Sequence, residues 1–293
     1  MPQLFLDGIE PNDRQRVNDL PLSERVDRAT ALLRDNEPDG GYYLAFSGGK
    51  DSVVIKHLAL LAGVQFEPWY NNTTIDPPEL VRFIKRHHAD VKWSQPEHGN
   101  MFYRIATNPA APPTRQWRWC CSEYKEGNGN GRVKVFGVRA AESATRKHFW
   151  REISVDVHGD TCICPVVYWL DAQIWEHIRH FGLPYCQLYD EGMSRLGCVA
   201  CPLKSEKQQQ ADFVRWPKYA AKWRAAVVAN WERWKDVPNS KTGKPRFQAR
   251  FKTADEFWHW WLTHKHPDVN REDCQSGILW TNEDETELEA LAL

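Results

Sequence analysis

Apolar and polar positions fall into blocks of two kinds along this chain. Tyr42-Tyr43-Leu44-Ala45-Phe46 is a continuous apolar run of strand length, and Val53-Val54-Ile55-Lys56-His57-Leu58 follows with helical character. Between them stands Ser47-Gly48-Gly49-Lys50-Asp51-Ser52, so the pattern predicts strand, glycine turn, helix. A second strand is predicted from Val64 to Tyr70. Pro77 and Pro78 suit the first turn of a helix, where no donor is lost, and Glu79 to His88 continues it with Leu80, Val81, Phe83 and Ile84 available for packing. Further strands are expected from Asp90 to Ser94, from Arg132 to Val138 and from Cys162 to Val167. Asp171 then reads as the cap of a helix with the apolar stripe Ile174, Trp175, Ile178 and Phe181, ended by Gly182-Leu183-Pro184. Strands alternating with helices over 41–168 predict an α/β fold, a mostly parallel sheet with helices on both faces.

The flanks differ. Residues 1–40 are polar, hold one expected helix from about Leu22 to Arg34, and read as an N-terminal helical arm that could serve as a lid or dimer contact. Pro96 to Arg118 is Pro-rich and is expected to be irregular. Residues 204–293 read as an expected helical basic and aromatic C-terminal region. From Lys204 to Lys252 there are 13 Lys or Arg against 4 Asp or Glu, interleaved with Trp216, Trp223, Trp231 and Trp234. That composition suits either nucleic acid or an amphipathic helical cover with a solvated face.

Composition narrows the class. At 293 residues with a net charge of −1 and 42% apolar residues, the chain has the make-up of a globular protein able to bury a full core. Met1 to Arg16 is polar, and the apolar runs are too short to span a bilayer, so no membrane partner and a cytoplasmic location are expected. In that setting, 8 cysteines favour metal, cluster or redox chemistry over disulfides.

Candidate chemistry concentrates in four places. The glycine turn lets several N–H groups point at one spot, and the helix that follows adds its positive end, a geometry that receives phosphate or sulfate. Thr73 and Thr74, in the loop after the second strand, belong to the crevice of such a sheet and are candidates to contact ribose or adenine. Arg139 and Arg146 lie just past a strand end on the same rim, and arginine forks suit phosphate or sulfate. Finally, Cys120-Cys121 and the C-x-x-C pair Cys198 and Cys201 make four thiols, enough for a [4Fe–4S] cluster or a tetrahedral zinc. Adjacent cysteines point to opposite faces of a strand but can converge on a helical turn. Cys162, Cys164 and Cys186 are expected as buried small apolar residues.

The spacing of the glycine turn is neither a Walker A loop nor a dinucleotide fingerprint. Ser47-Gly48-Gly49-Lys50-Asp51-Ser52 resembles the S-G-G-x-D-S signature of the PP-loop family, the adenine nucleotide α-hydrolase-like enzymes. The order C-C … C-x-x-C, with Thr74-Ile75-Asp76-Pro77-Pro78-Glu79, Gly137-Val138-Arg139 … Arg146 and Arg195-Leu196-Gly197-Cys198, resembles the iron–sulfur sulfonucleotide reductases of the PAPS reductase family. The resemblance runs over roughly 41–203, which it marks as a PP-loop nucleotide-binding domain with a four-cysteine metal site.

The resemblance implies adenylylsulfate (APS) or its 3′-phosphate (PAPS) as substrate. It also implies a [4Fe–4S] cluster on Cys120, Cys121, Cys198 and Cys201, a thioredoxin-like reductant, and a C-terminal cysteine nucleophile that takes the sulfur. Cys274 stands in the corresponding part of the chain, although Glu272-Asp273-Cys274-Gln275-Ser276-Gly277 departs from the family's Glu-Cys-Gly. The intact loop is itself a departure, because the reductases usually carry a degenerate one. It looks like the ATP-cleaving relatives, including DNA phosphorothioation sulfurtransferases, in which Lys50 would add charge beside a departing pyrophosphate and Asp51 would help hold Mg²⁺. The expectations are therefore a sulfonucleotide reductase first, an ATP-dependent adenylating or sulfur-transfer enzyme second, and a non-catalytic cluster-bearing nucleotide-binding subunit third. A homo-oligomer is the expected assembly.

Overall fold

A computed structural model describes residues 17–263 of the protein. Cys274 lies outside the described residues. The chain divides into two compact units. The first runs as far as Asn71 and includes Pro77–Ser94 and Asn128–Gly197; the second comprises Asn72–Asp76, Gln95–Gly127 and the chain from Cys198 onward. In chain order the helices are α1 (Leu22–Asp35), α2 (Lys50–Ala62), α3 (Pro78–His87), α4 (Met101–Thr107), α5 (Ala144–Phe149), α6 (Asp171–His180), α7 (Glu206–Arg215), α8 (Pro217–Trp234) and α9 (Ala254–Thr263).

The first unit carries the sheet. Its strands are β1 (Tyr42–Ala45), β2 (Phe66–Tyr70), β3 (Lys92–Trp93), β4 (Lys134–Val135), β5 (Ile153–Val155) and β6 (Thr161–Ile163), in the order β3-β2-β1-β4-β6-β5. Every neighbouring pair is parallel except β5 with β6. The parallel α/β sheet expected from the alternation is therefore present, and β5 is an antiparallel edge strand that the pattern did not announce. Leu44, Val135 and Ile163 are register partners across β1, β4 and β6, and all three are fully buried. Each such side chain contributes about 1.5–3 kcal/mol by leaving water.

Order of crossing positions the site. From β1 the chain moves outward to β2 and β3, then returns to place β4 on the other side of β1. The gap between β1 and β4 is a topological switch point, the place where loops at the carboxyl ends of such strands diverge and leave a crevice. The glycine turn follows β1 there, and Phe136 to Arg139 follow β4.

Helix α2 covers the sheet with Val53, Val54, Ile55, Leu58 and Ala59, and Gly63 ends it in the left-handed region at φ 72°. Helix α3 begins at Pro78 and buries Leu80, Phe83 and Ile84, while Val81 stays half-buried. The expected N-terminal arm is part of this unit's fold: α1 packs against α2, Tyr42 Oη donates to Leu33 O at 2.7 Å, and Arg28 forks onto Glu152 at 2.9 and 3.0 Å.

The second unit is helical, built around α8, which packs against α4, α7 and α9. Part of the stretch expected to be irregular is helix α4, capped by Asn100, whose Oδ1 accepts from Phe102 N at 2.8 Å. At seven residues it is too short to show a periodic stripe. Asn230 of α8 ties the two helices together. Fully buried, its Nδ2 donates to Ile105 O, Asn108 O and Ala110 O at 2.7–3.1 Å, and its Oδ1 accepts from Gln248.

The tryptophan recurrence is packing. Trp223 and Trp261 are fully buried, stack with centroids 4.6 Å apart, and donate to Val199 O and Pro113 O. Trp216 is buried too, and half-buried Trp231 and Trp234 carry Lys235, Arg233 and Arg246 over their rings. Among the described residues, no helix is long and apolar enough to cross a membrane.

Candidate functional site

The glycine turn of the first unit has the form of an anion cradle. Gly48 has φ 73°, and a Cβ there would lie 2.7 Å from Ile84 Cγ1 and 2.8 Å from Leu80 Cδ1, so only glycine lets the turn close onto α3. Gly49 precedes the first helical residue, and no side chain caps α2. The first-turn N–H groups are thereby left for other acceptors. Ser52 Oγ donates to Gly49 O at 2.8 Å, which holds the turn's shape. Ser47 Oγ lies 3.3 Å from Ser52 Oγ.

Four charged side chains close on one another beside the turn. Arg139 is buried, and its guanidinium donates from Nε to Asp51 Oδ1 at 2.5 Å and from Nη2 to Asp171 Oδ1 at 2.8 Å. Lys50, also buried, sets Nζ 3.1 Å from Asp171 Oδ1 and 3.7 Å from Asp51 Oδ2. Gly137 makes this possible: a Cβ there would lie 3.2 Å from the Asp51 carbonyl carbon. Two cations and two carboxylates cancel. The positive field of the cradle then rests on the backbone and helix dipole, together with whatever charge Lys50 and Arg139 release on exchanging a carboxylate for a ligand.

Arg139 is thus committed to Asp51 and Asp171. Arg146, on α5, pairs with Glu142 one turn earlier. Asp171 is the first residue of α6 and not its cap, which is Leu170; its carboxylate serves Lys50 and Arg139 instead. The sequence predicts only a cap at Asp171, because Asp at a helix start is most often one. Tyr189 and Ser194 were missed as site residues: Tyr189 Oη accepts from Lys50 N at 2.9 Å, and Ser194 O accepts from Lys50 Nζ at 3.2 Å. The available signal was that both lie in the stretch leading to Cys198.

The four cysteines all belong to the second unit. Cys120 and Cys121 sit on a single helical turn (Trp119–Cys121) that continues as a π-helical turn (Ser122–Glu126), so the adjacent side chains do not alternate to opposite faces as they would on a strand. Their thiols hydrogen-bond to each other, which raises the Cys120 thiol and lowers that of Cys121, the latter helped by the Arg118 guanidinium. Cys198 and Cys201 contribute to the field at Cys120.

The C-x-x-C loop is held on all sides. Val199 N donates to Ile75 O at 2.9 Å, Ala200 N to Asp212 Oδ2 at 2.6 Å, and Gln209 Nε2 to the carbonyls of Ala200 and Cys201 at 3.4 and 3.2 Å. That grip sustains Ala200 in the left-handed region at φ 54°. Burial pushes the Cys198 thiol up to about 12. Cys198, when ionised, and then Asp76 and the other nearby cysteines push the Lys125 ammonium above the ordinary lysine range.

Thr73 and Thr74 stand in this unit as well. Thr73 Oγ1 donates to Asp76 Oδ2 at 2.7 Å and receives Cys198 Sγ at 3.6 Å. Thr74 has φ 64°, uncommon for a β-branched residue, and its Oγ1 accepts from Met101 N at the start of α4. Both hydroxyls are engaged, that of Thr73 with Asp76 and Cys198 and that of Thr74 with Met101 N.

Among the described residues, no three Cys, His, Asp or Glu side chains converge as they stand on a point that a metal ion would fill. The donor chemistry nevertheless fits a thiolate-bound group: four sulfurs from two segments of one unit, with Arg118 and Lys125 placed to balance their charge. All seven described cysteines are free thiols, and Cys162, Cys164 and Cys186 are fully buried, as expected of small apolar residues.

The family description "Phosphoadenosine phosphosulfate reductase domain" matches residues 41–204. An uncharacterized protein of Methanocaldococcus jannaschii is 27% identical over 61% of this chain and 40% of its own length. A second protein of that organism is covered over 52% of its length, so the chain spans about half or less of these two relatives. An adenosine 5′-phosphosulfate reductase of Bacillus thuringiensis is 28% identical over 68% of this chain and 91% of its own. Among solved structures, a phosphoadenylyl-sulfate reductase of Candida auris in a phosphate complex aligns over 66% of this chain and 97% of its own, with 16% identity and a TM-score of 0.44.

Proposed function

The chain belongs to the phosphoadenosine phosphosulfate reductase domain family, and from that premise we propose that it reduces a sulfonucleotide, APS or PAPS, to sulfite and AMP or its 3′-phosphate. One observation carries the reading: the family match takes in the glycine turn and both cysteine pairs, and those four cysteines fall in one unit where Cys121, Cys198 and Cys201 all act on the Cys120 thiol. The named relatives among the adenosine 5′-phosphosulfate reductases agree with it.

In this reading Ser47 to Ser52 seat the anionic end of the nucleotide on the first-turn N–H groups of α2. Lys50 and Arg139 turn part of their charge from Asp171 and Asp51 toward the substrate. Transfer then requires a thiolate: its sulfur bonds to the sulfuryl sulfur, the S–O bond to the nucleotide breaks, and the nucleotide leaves with the electron pair on its phosphate oxygen. A dithiol such as a thioredoxin-like reductant next attacks the S-sulfocysteine, sulfite departs, and the two electrons come from the dithiol as it closes to a disulfide. Cys274 is the proposed nucleophile. Cys120, Cys121, Cys198 and Cys201 would hold a [4Fe–4S] cluster or zinc, which when bound would supply a fixed charge and structural support to the thiolate segments.

The test is anaerobic incubation of the purified chain with APS, PAPS or ATP and a dithiol, with sulfite and pyrophosphate both measured. Sulfite from a sulfonucleotide is expected. A second reading, ATP-dependent adenylation of a sulfur acceptor, is favoured by the intact loop with the Asp51 and Asp171 carboxylates beside it, where Mg²⁺ would sit. Pyrophosphate from ATP with no sulfite from either sulfonucleotide would put that reading first.

A further inference from the structure

Lys50 N belongs to the first turn of α2, and its acceptor is the phenolic oxygen of Tyr189 at 2.9 Å. The same hydroxyl stands 3.4 Å from where a Cβ on Gly49 would be, directly against the turn. The ring is fixed from outside by Trp175, edge-on at 5.1 Å and 87°, and the Lys50 ammonium lies 5.4 Å from its centroid. A few residues later, Ser194 O accepts a hydrogen bond from Lys50 Nζ at 3.2 Å. The segment from Gln187 to Ser194 is therefore a strap across the glycine turn, tied to Lys50 through both its main chain and its side chain. Tyr189 takes the hydrogen bond that an anion oxygen would otherwise receive from Lys50 N.

We propose that Tyr189 is a specificity-determining residue, whose hydroxyl withdraws one donor from the turn and so favours a single tetrahedral group beside the nucleotide over a pyrophosphate. A sulfonucleotide presents one such group beyond its α-phosphate and can be held by the donors that remain. The triphosphate of ATP spreads its charge over more oxygens and needs the Lys50 N–H as well, so it must evict the tyrosine. The inference rests on the reading of Ser47 to Ser52 as the nucleotide's anion seat and deepens it by naming what selects between the two substrate classes.

Tyr189→Phe keeps the ring against Trp175 and removes only the hydroxyl. Calorimetric titration with ATP, inorganic pyrophosphate and APS should show the first two binding about five-fold tighter to the variant, the worth of one hydrogen bond no longer competed for, with APS changed less than about two-fold. Equal gains for all three ligands, or no gain for pyrophosphate, overturn the proposal. A Lys50→Ala control separates the two levels. If it leaves all affinities unchanged, the turn is not the seat and both readings fall; if it weakens them while Tyr189→Phe leaves the ratios alone, only the tyrosine's role falls. Hydrogen exchange on the unaltered chain gives a check independent of the variant's folding. Amides of 187–194 should exchange faster with saturating pyrophosphate and not with sulfate, and unchanged exchange while both anions bind overturns the proposal.

Discussion

The two units hold their candidate sites by opposite means. In the first, the loop is a turn whose donors are backbone N–H groups, and the charged side chains around it are already paired with one another. In the second, the loop carries Cys198, whose thiol is pushed up to about 12 by burial, and the scaffold around it is over-determined. Asp212, Gln209, Trp223 and Ile75 all fasten Val199 to Cys201. The first site is electrostatically balanced and adjustable; the second is mechanically rigid and chemically reluctant. A site that must exchange anions can use partners that let go, whereas thiols that must meet a metal together need a backbone that does not move.

The sharpest way to break the contrast is Cys198→Ala. Anaerobically purified chain is expected to carry about four irons with matching sulfide, and the variant should lose nearly all of both. Zinc in place of iron would keep the rigid site but change its chemistry. Next in size is Asn230→Leu, which leaves the carbonyls of Ile105, Asn108 and Ala110 without their shared donor. A loss of about 3 kcal/mol is expected in chemical denaturation. Nucleotide affinity measured under conditions where the variant stays folded should change little if the first unit holds the anion.

Lys50→Ala should cost the first unit about 30-fold in nucleotide affinity, the worth of one charge-assisted hydrogen bond, with little effect on iron content. An equal fall in iron would show that the two sites are not separable. The smallest effect is on pH dependence. His177 is fully buried, with Nε2 2.9 Å from His57 Nδ1, and faces Trp169 and Phe181. Burial, followed by the charges of His57, His180 and Arg25, pulls it down to about 3.

The unfolded chain binds this proton near its ordinary pKa of about 6.5, and the folded chain does not until far lower pH. Stability is therefore full above about pH 6.5 and declines by at most about 1.4 kcal/mol per pH unit below it. The urea midpoint should fall between about pH 7 and pH 5, and His177→Phe should flatten that fall.

Several features were legible without coordinates because neighbours in sequence decide them. Gly48 and Gly49 between an apolar strand and an apolar helix can make little except this turn, since the left-handed φ and the contact with α3 both demand glycine. Alternating runs foretold the parallel sheet, and Pro78 marked the start of α3. The adjacent cysteines and the C-x-x-C pair stand out in the sequence as four thiols, and both pairs lie within the stretch that the family description matches.

What the tertiary structure decided is who meets whom. Asp171 looks like any helix-start aspartate until α2 and the loop after β4 bring Lys50 and Arg139 to it. Tyr189 looks like a packing aromatic until the strap lays its hydroxyl on Lys50 N. Asn230 looks like a poor helix former until the end of α4 supplies three carbonyls, and β5 is too short to show a period. Turn geometry is set by local backbone sterics that a few adjacent residues encode. The pairing of charges and donors depends on which loops share a strand edge or a helix end, and that is settled only when the whole core packs.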